Sequence, residues 1–133
     1  MSAHWAAPLI GVPYKAGGHT PEGMDCIGLV RYYFRARHGV ELPDYHLHAA
    51  PGDLHAFVRA TGWHPCSLPY RDEDILTMEN HLGKHVGVVI ETCEGTGLLH
   101  ASGTDDYGSV IWQPLSTLFG YRNYKGWRKT CAA

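Results

Sequence analysis

Three side chains in this sequence have the types and the order that thiol chemistry uses: Cys26, His85 and His100. Cys26 follows Asp25, and aspartate caps helices well, so the sulfur falls in a first helical turn. The positive end of the helix dipole there is expected to favour a thiolate and bring the thiol below its free value of about 8.5. Gly17, Gly18 and Gly23 let backbone pass close to that sulfur, and Gly28 leaves one side of it bare. A thiol nucleophile needs a base within hydrogen-bond reach, and the base needs a group to orient it. His85 and His100 are the candidates for those two tasks. Taken singly, a cysteine is more often a small core residue and a histidine a satisfied polar one. The set of three is what points to chemistry.

The elements that must position them can be read from the pattern. Ile27, Val30, Tyr33 and Phe34 recur at helical spacing, Arg35 and Arg37 suit a helix C-terminus, and Gly39 ends it, which predicts a helix over 26–38. A short helix or turn is expected at 3–9 and another helix from Asp53 to about Ala60, with loop at 40–52 and irregular chain at 63–72. Strands are expected at Ile75–Met78, His85–Ile90, Leu98–Ser102, Val110–Trp112 and Tyr121–Trp127. Short turns between them predict an antiparallel meander, and the class is α+β, helices first and sheet second.

A hairpin centred between Cys93 and Glu94 sets Gly87 opposite His100 and His85 opposite Ser102. The two histidines are then diagonal neighbours on one face, with Cβ atoms roughly 7 Å apart. A slip of one residue would send them to opposite faces. Gly87 would leave space beside the pair. Helix-borne sulfur meeting sheet-borne imidazole, in the order Cys, His, second polar residue, is the logic of papain-like cysteine enzymes.

Composition narrows the classes. The chain has 133 residues, 44% hydrophobic and 18% charged, which suits one folded domain, 1–133. A net charge of −2 gives no general attraction to nucleic acid or anionic lipid. No apolar run approaches the ~20 residues of a membrane span. The start, MSAHWAAPLIGVPY, lacks the basic and long apolar stretches of a signal peptide. Cys26, Cys66, Cys93 and Cys131 form no C-x-x-C pair, so they read as reduced thiols. His46, His48 and His55 have poor spacing for a metal. Trp63, Trp112 and Trp127 read as core or groove wall, and Tyr121 and Tyr124 remain open between core and groove.

Two blocks lead up to and take in the cysteine: Tyr14-Lys15-Ala16-Gly17-Gly18 and Gly23-Met24-Asp25-Cys26-Ile27-Gly28-Leu29-Val30. Together they resemble the first signature of the NlpC-type cell-wall peptidases. Lys84-His85-Val86-Gly87-Val88-Val89-Ile90 resembles the second, and Leu98-Leu99-His100-Ala101-Ser102 the third. Two departures stand out. Ile27 follows the cysteine where the family often has serine, and Glu73-Asp74-Ile75-Leu76 stands where it often has Gly-Asp-Leu.

The resemblance implies a papain-like fold with N-terminal helices on a central antiparallel sheet and the nucleophile at a helix N-terminus. It implies Cys26 as nucleophile, His85 as base and His100 as its orienting group, with Tyr14 and Asp25 at the substrate. It implies hydrolysis of peptidoglycan stem peptides, often between D-glutamate and a diamino acid, with no metal or organic cofactor. A bare domain of this kind is similar to phage-encoded members, so tail proteins are expected partners. The expected route is cytoplasmic synthesis without a signal peptide, then delivery to the cell wall by a tail or a secretion machine. Alternatives are a structural tail component with a vestigial site, an acyltransferase or amidase of the same fold, and a zinc site built from the same three side chains.

Overall fold

A computed structural model describes residues 5–42, 62–104 and 107–129 of the protein. The expected helix at 53–60, His46, His48, His55 and Cys131 lie outside the described residues. Near the start, a single 3-10 turn, Ala7–Leu9, stands where a short helix or turn is expected. Two short strands follow, β1 (His19–Thr20) and β2 (Gly23–Met24), paired antiparallel. They fold the glycine-rich approach back on itself.

Helix α1 runs Cys26–His38, as the apolar spacing predicts. Asp25 caps it: Oδ1 accepts the Gly28 N–H at 2.7 Å. At the other end, Arg35, Arg37 and His38 occupy the last turn. Its buried face carries Ile27, Leu29, Val30, Tyr33 and Phe34. Among the described residues it is the one α-helix.

The sheet is built from β3 (Trp63–Cys66), β4 (Ile75–Asn80), β5 (Gly83–Thr92), β6 (Gly95–Thr104), β7 (Tyr107–Pro114) and β8 (Arg122–Lys129). Their order is β3-β8-β4-β5-β6-β7. The meander therefore covers β4 to β7 and stops there. β8 does not extend it past β7; the chain crosses back and inserts between β3 and β4. Long-range contacts drive that return. Trp127 is fully buried in the core beside α1. Arg128 grips Asp74 with two hydrogen bonds, Nε to Oδ1 at 2.9 Å and Nη2 to Oδ2 at 2.7 Å. β3 falls where irregular chain was expected. It lies at the sheet edge, where the missing N–H of Pro65 goes unnoticed.

The β5–β6 register is the expected one, Val88 opposite Leu99 and Thr92 opposite Gly95. Strand alternation then divides the side chains of β5. Val86, Val88 and Ile90 join the core against α1. Val89 joins Leu76, Met78 and Leu98 in a second cluster, with Tyr70, Leu115, Leu118 and Tyr121 packed around it. His85 and Gly87 share parity with Val89, so the histidine belongs to this second face. Each buried core side chain stabilises by roughly 1.5–3 kcal/mol, so both faces hold the frame of the site.

Candidate active site

Cys26 opens α1 and is 2% exposed. Three backbone groups lie near its sulfur and favour the thiolate: those of Cys26, Ile27 and Val86. The first two belong to the free N–H groups of a helix start. The third comes from β5, and its direction is fixed by the sheet. The Val89 N–H bonds Asp74 O on the β4 side. Three residues back along an alternating strand, the Val86 N–H points toward β6. The β5–β6 pairs run from Thr92–Gly95 to Val88–Leu99. Just beyond them the thiol of Cys26 meets Val86.

Electrostatics here overturn one expectation. The helix start was expected to bring the Cys26 thiol down. Instead burial, reinforced by the negative charge of Asp25, pushes it up to about 12, against the pull of the three backbone groups. A few oriented N–H dipoles do not replace the water lost by a fully desolvated thiolate.

Asp25 holds the approach as well as the helix. Oδ2 accepts the Gly17 N–H at 2.8 Å while Oδ1 caps α1. The Gly18 carbonyl accepts the Asp25 N–H at 3.1 Å. A Cβ on Gly28 would stand 1.7 Å from that same carbonyl oxygen. The glycine-rich segment thus lies directly on the first turn. Tyr14 bridges to Met24, two residues before the cysteine, and packs half-buried against the core.

His85 and His100 meet as rings, Nε2 to Nδ1 at 2.8 Å. They are 8% and 0% exposed. Burial, then the neighbouring His100, lowers His85 to about 3. Burial also lowers His100, against a hydrogen bond to Gln113. The space expected beside Gly87 is filled: a Cβ there would sit 2.8 Å from Leu98 Cδ1 and from the Leu99 carbonyl. Gly87 serves close strand approach, not an opening.

Two more residues join the site: Gln113, which the sequence pattern does not single out, and Tyr121, which it leaves open between core and groove. Gln113 meets the far side of His100, with Oε1 accepting at 2.8 Å from Nε2. It lies diagonal to His100 across β6 and β7, as His85 does across β5 and β6. The hairpin rule that paired the histidines would have found it, had the expected strand Val110–Trp112 run on to Gln113. Tyr121 stacks on His85, centroids 5.4 Å apart and planes 27° apart, and meets His100 edge-on at 6.2 Å. Asn80 and Ser102 lie near its hydroxyl and favour the phenolate, but burial outweighs them and pushes the group up. No local signal finds it, because it reaches the site by the return of β8.

Cys26, Cys66 and Cys93 are free thiols. Among the described residues no three His, Cys, Asp or Glu side chains are grouped as a metal site requires.

A family model described as the NlpC/P60 family matches residues 11–126. The chain belongs to the NlpC/P60 family. The match takes in Tyr14, Cys26, His85, His100, Gln113 and Tyr121. A solved structure of the NlpC/p60 domain of the peptidoglycan hydrolase SagA superposes with a TM-score of 0.65, covering 90% of each chain at 22% identity. The fold is thus the papain-like NlpC/P60 fold, α+β with a helix on a large antiparallel sheet. Tail tip assembly protein K of Escherichia phage N15 is 30% identical over 137 residues, 90% of this chain and 51% of that protein. Gamma-DL-glutamyl hydrolase of Bacillus subtilis (strain 168) is 56% identical over 39 residues, 29% of this chain and 9% of that protein. The chain spans about half the length of the first of these relatives and far less of the second.

Proposed function

We propose that this NlpC/P60 chain is a cysteine peptidase that hydrolyses the stem peptides of bacterial peptidoglycan. Cys26 is the nucleophile, His85 the base and His100 the group that orients it. The single observation that carries the reading is the contact of the His85 and His100 rings, Nε2 to Nδ1 at 2.8 Å, on the strand whose Val86 backbone lies near the Cys26 sulfur. The fold neighbour is a domain of a peptidoglycan hydrolase, which supports the cell wall as target.

His85 takes the Cys26 proton as sulfur attacks the amide carbon. The backbone N–H groups at the start of α1 hold the oxyanion. The C–N bond then breaks, and His85 returns the proton to the leaving amine. Water, giving a proton to His85, opens the thioester and releases the acid and the thiol. Tyr14 and Asp25 border the substrate. A carboxylate has about four acceptor positions; Asp25 has given one on each oxygen to Gly28 and Gly17. The others face a substrate ammonium.

The bond cleaved is of the D-glutamyl–diamino acid type. The likeness of 39 residues to a gamma-DL-glutamyl hydrolase supports a glutamyl bond. The likeness of 90% of the chain to a tail tip assembly protein supports delivery on a phage tail, with tail proteins as partners.

Digestion of purified peptidoglycan by wild type and Cys26→Ala, read by mass spectrometry, tests the reading. Stem-peptide fragments are expected from wild type alone, and their masses name the bond. Fragments from both proteins would remove Cys26 from the mechanism. Fragments from neither, with both folded, would remove peptidoglycan as the substrate.

A further inference from the structure

The row of polar contacts behind His85 has a direction, and two backbone carbonyls give it. The side-chain amide of Gln113 donates through Nε2 to the Thr117 carbonyl at 2.9 Å and to Thr117 Oγ1 at 3.0 Å. A carbonyl oxygen only accepts, so the amide nitrogen must face Thr117. Thr117 Oγ1 spends its own proton on the Pro114 carbonyl at 2.7 Å, which leaves it an acceptor too. Both carbonyls belong to the 3-10 turn Leu115–Thr117 and its cap, directly after β7. The turn therefore fixes which end of the Gln113 amide faces inward.

The rest follows atom by atom. Gln113 Oε1 faces His100 Nε2 at 2.8 Å, so that nitrogen carries the hydrogen. A neutral imidazole has one N–H, so His100 Nδ1 is a bare lone pair. His85 Nε2 lies 2.8 Å from it and must donate. His85 in turn keeps Nδ1 bare. Burial holds both rings neutral at pH 7, so the hydrogen count applies.

We infer that Gln113, anchored by the Leu115–Thr117 turn, is a positioning residue that sets the tautomers of His100 and His85 and leaves His85 Nδ1 as the free base. The inference rests on the peptidase reading for its catalytic consequence, but the tautomers themselves do not.

Protein labelled with ¹⁵N-histidine reports the tautomers directly through long-range ¹H–¹⁵N correlations at pH 7. Wild type, Gln113→Met and Gln113→Glu are compared, and peptidoglycan digestion is followed in parallel. In wild type both rings are expected as Nε2–H. Gln113→Met keeps the length but loses acceptor and donor, so His100 should become a mixture of tautomers. Its kcat should fall about ten- to a hundredfold, with KM nearly unchanged. Gln113→Glu keeps an acceptor toward His100 and should retain both Nε2–H forms.

An Nδ1–H form at His100 in wild type overturns the inference, and this needs no variant to fold. So does a folded Gln113→Met with both tautomers and kcat unchanged. Wild-type tautomers as expected, with no peptidoglycan cleaved, uphold the relay while the substrate reading fails.

Discussion

Burial leaves the Cys26 thiol protonated and the His85 ring uncharged at neutral pH. The thiol is pushed up to about 12 and the imidazole down to about 3, each chiefly by loss of water. A resting thiolate–imidazolium pair is therefore disfavoured, and the proton moves to His85 only as sulfur attacks. Alkylation by iodoacetamide, mapped by peptide mass, tests this. At pH 7 the exposed Cys93 should react before Cys26. The Cys26 rate should keep climbing from pH 7 to 10 without levelling, since the thiolate fraction still grows there. A plateau already reached below pH 7 would mean a stored ion pair and contradict the neutral ground state.

The first turn of α1 is the element on which the site depends, and its tolerance is small. Gly28 sits under the Gly18 carbonyl, and Asp25 ties the same segment through Gly17. Gly28→Ala would ordinarily favour a helix. Here the added Cβ would lie 1.7 Å from a backbone oxygen, with Asp25 Oδ1 at 3.0 Å. Backbone must shift, at a cost of roughly 3 kcal/mol. A thermal melt should show the loss as a Tm several degrees lower. An unchanged Tm would mean that the segment does not press on the helix.

Across the whole molecule, Glu73 joins the far end of α1 to the start of β4. Its Oε2 accepts from Tyr33 at 2.6 Å and Arg37 at 3.1 Å, and meets His38 Nε2 at 2.8 Å. Burial by itself would raise the carboxyl, but the Tyr33 and His38 hydrogen bonds and the nearby positive charge outweigh it, and the net direction is down. The folded carboxyl thus titrates below the unfolded value of about 4.3. Its stabilisation is complete above that value and fades as pH falls through the lower, folded one. Glu73→Gln should cost about 1 kcal/mol at pH 7, a figure kept small because the side chain is partly solvated. Urea melts should show the gap between variant and wild type closing below about pH 4. A gap independent of pH would assign the effect to packing. No helix among the described residues is long and apolar enough to cross a membrane.

What the sequence determined by itself was local or symmetric. Asp25, the spacing of Ile27, Val30, Tyr33 and Phe34, and Gly39 specify α1, because capping and amphipathic period act within a few turns. The turn at Cys93–Glu94 specifies the register that brings His85 to His100, because antiparallel pairing counts equally from a hairpin centre. Only the tertiary structure decided the rest. The insertion of β8 between β3 and β4 is set by Trp127 and by Arg128 on Asp74, contacts between residues distant in the chain. That return brings Tyr121 onto His85. The direction of the Cys26 shift was likewise out of reach. A helix start can be read from residues, but the water lost at a sulfur depends on everything packed around it.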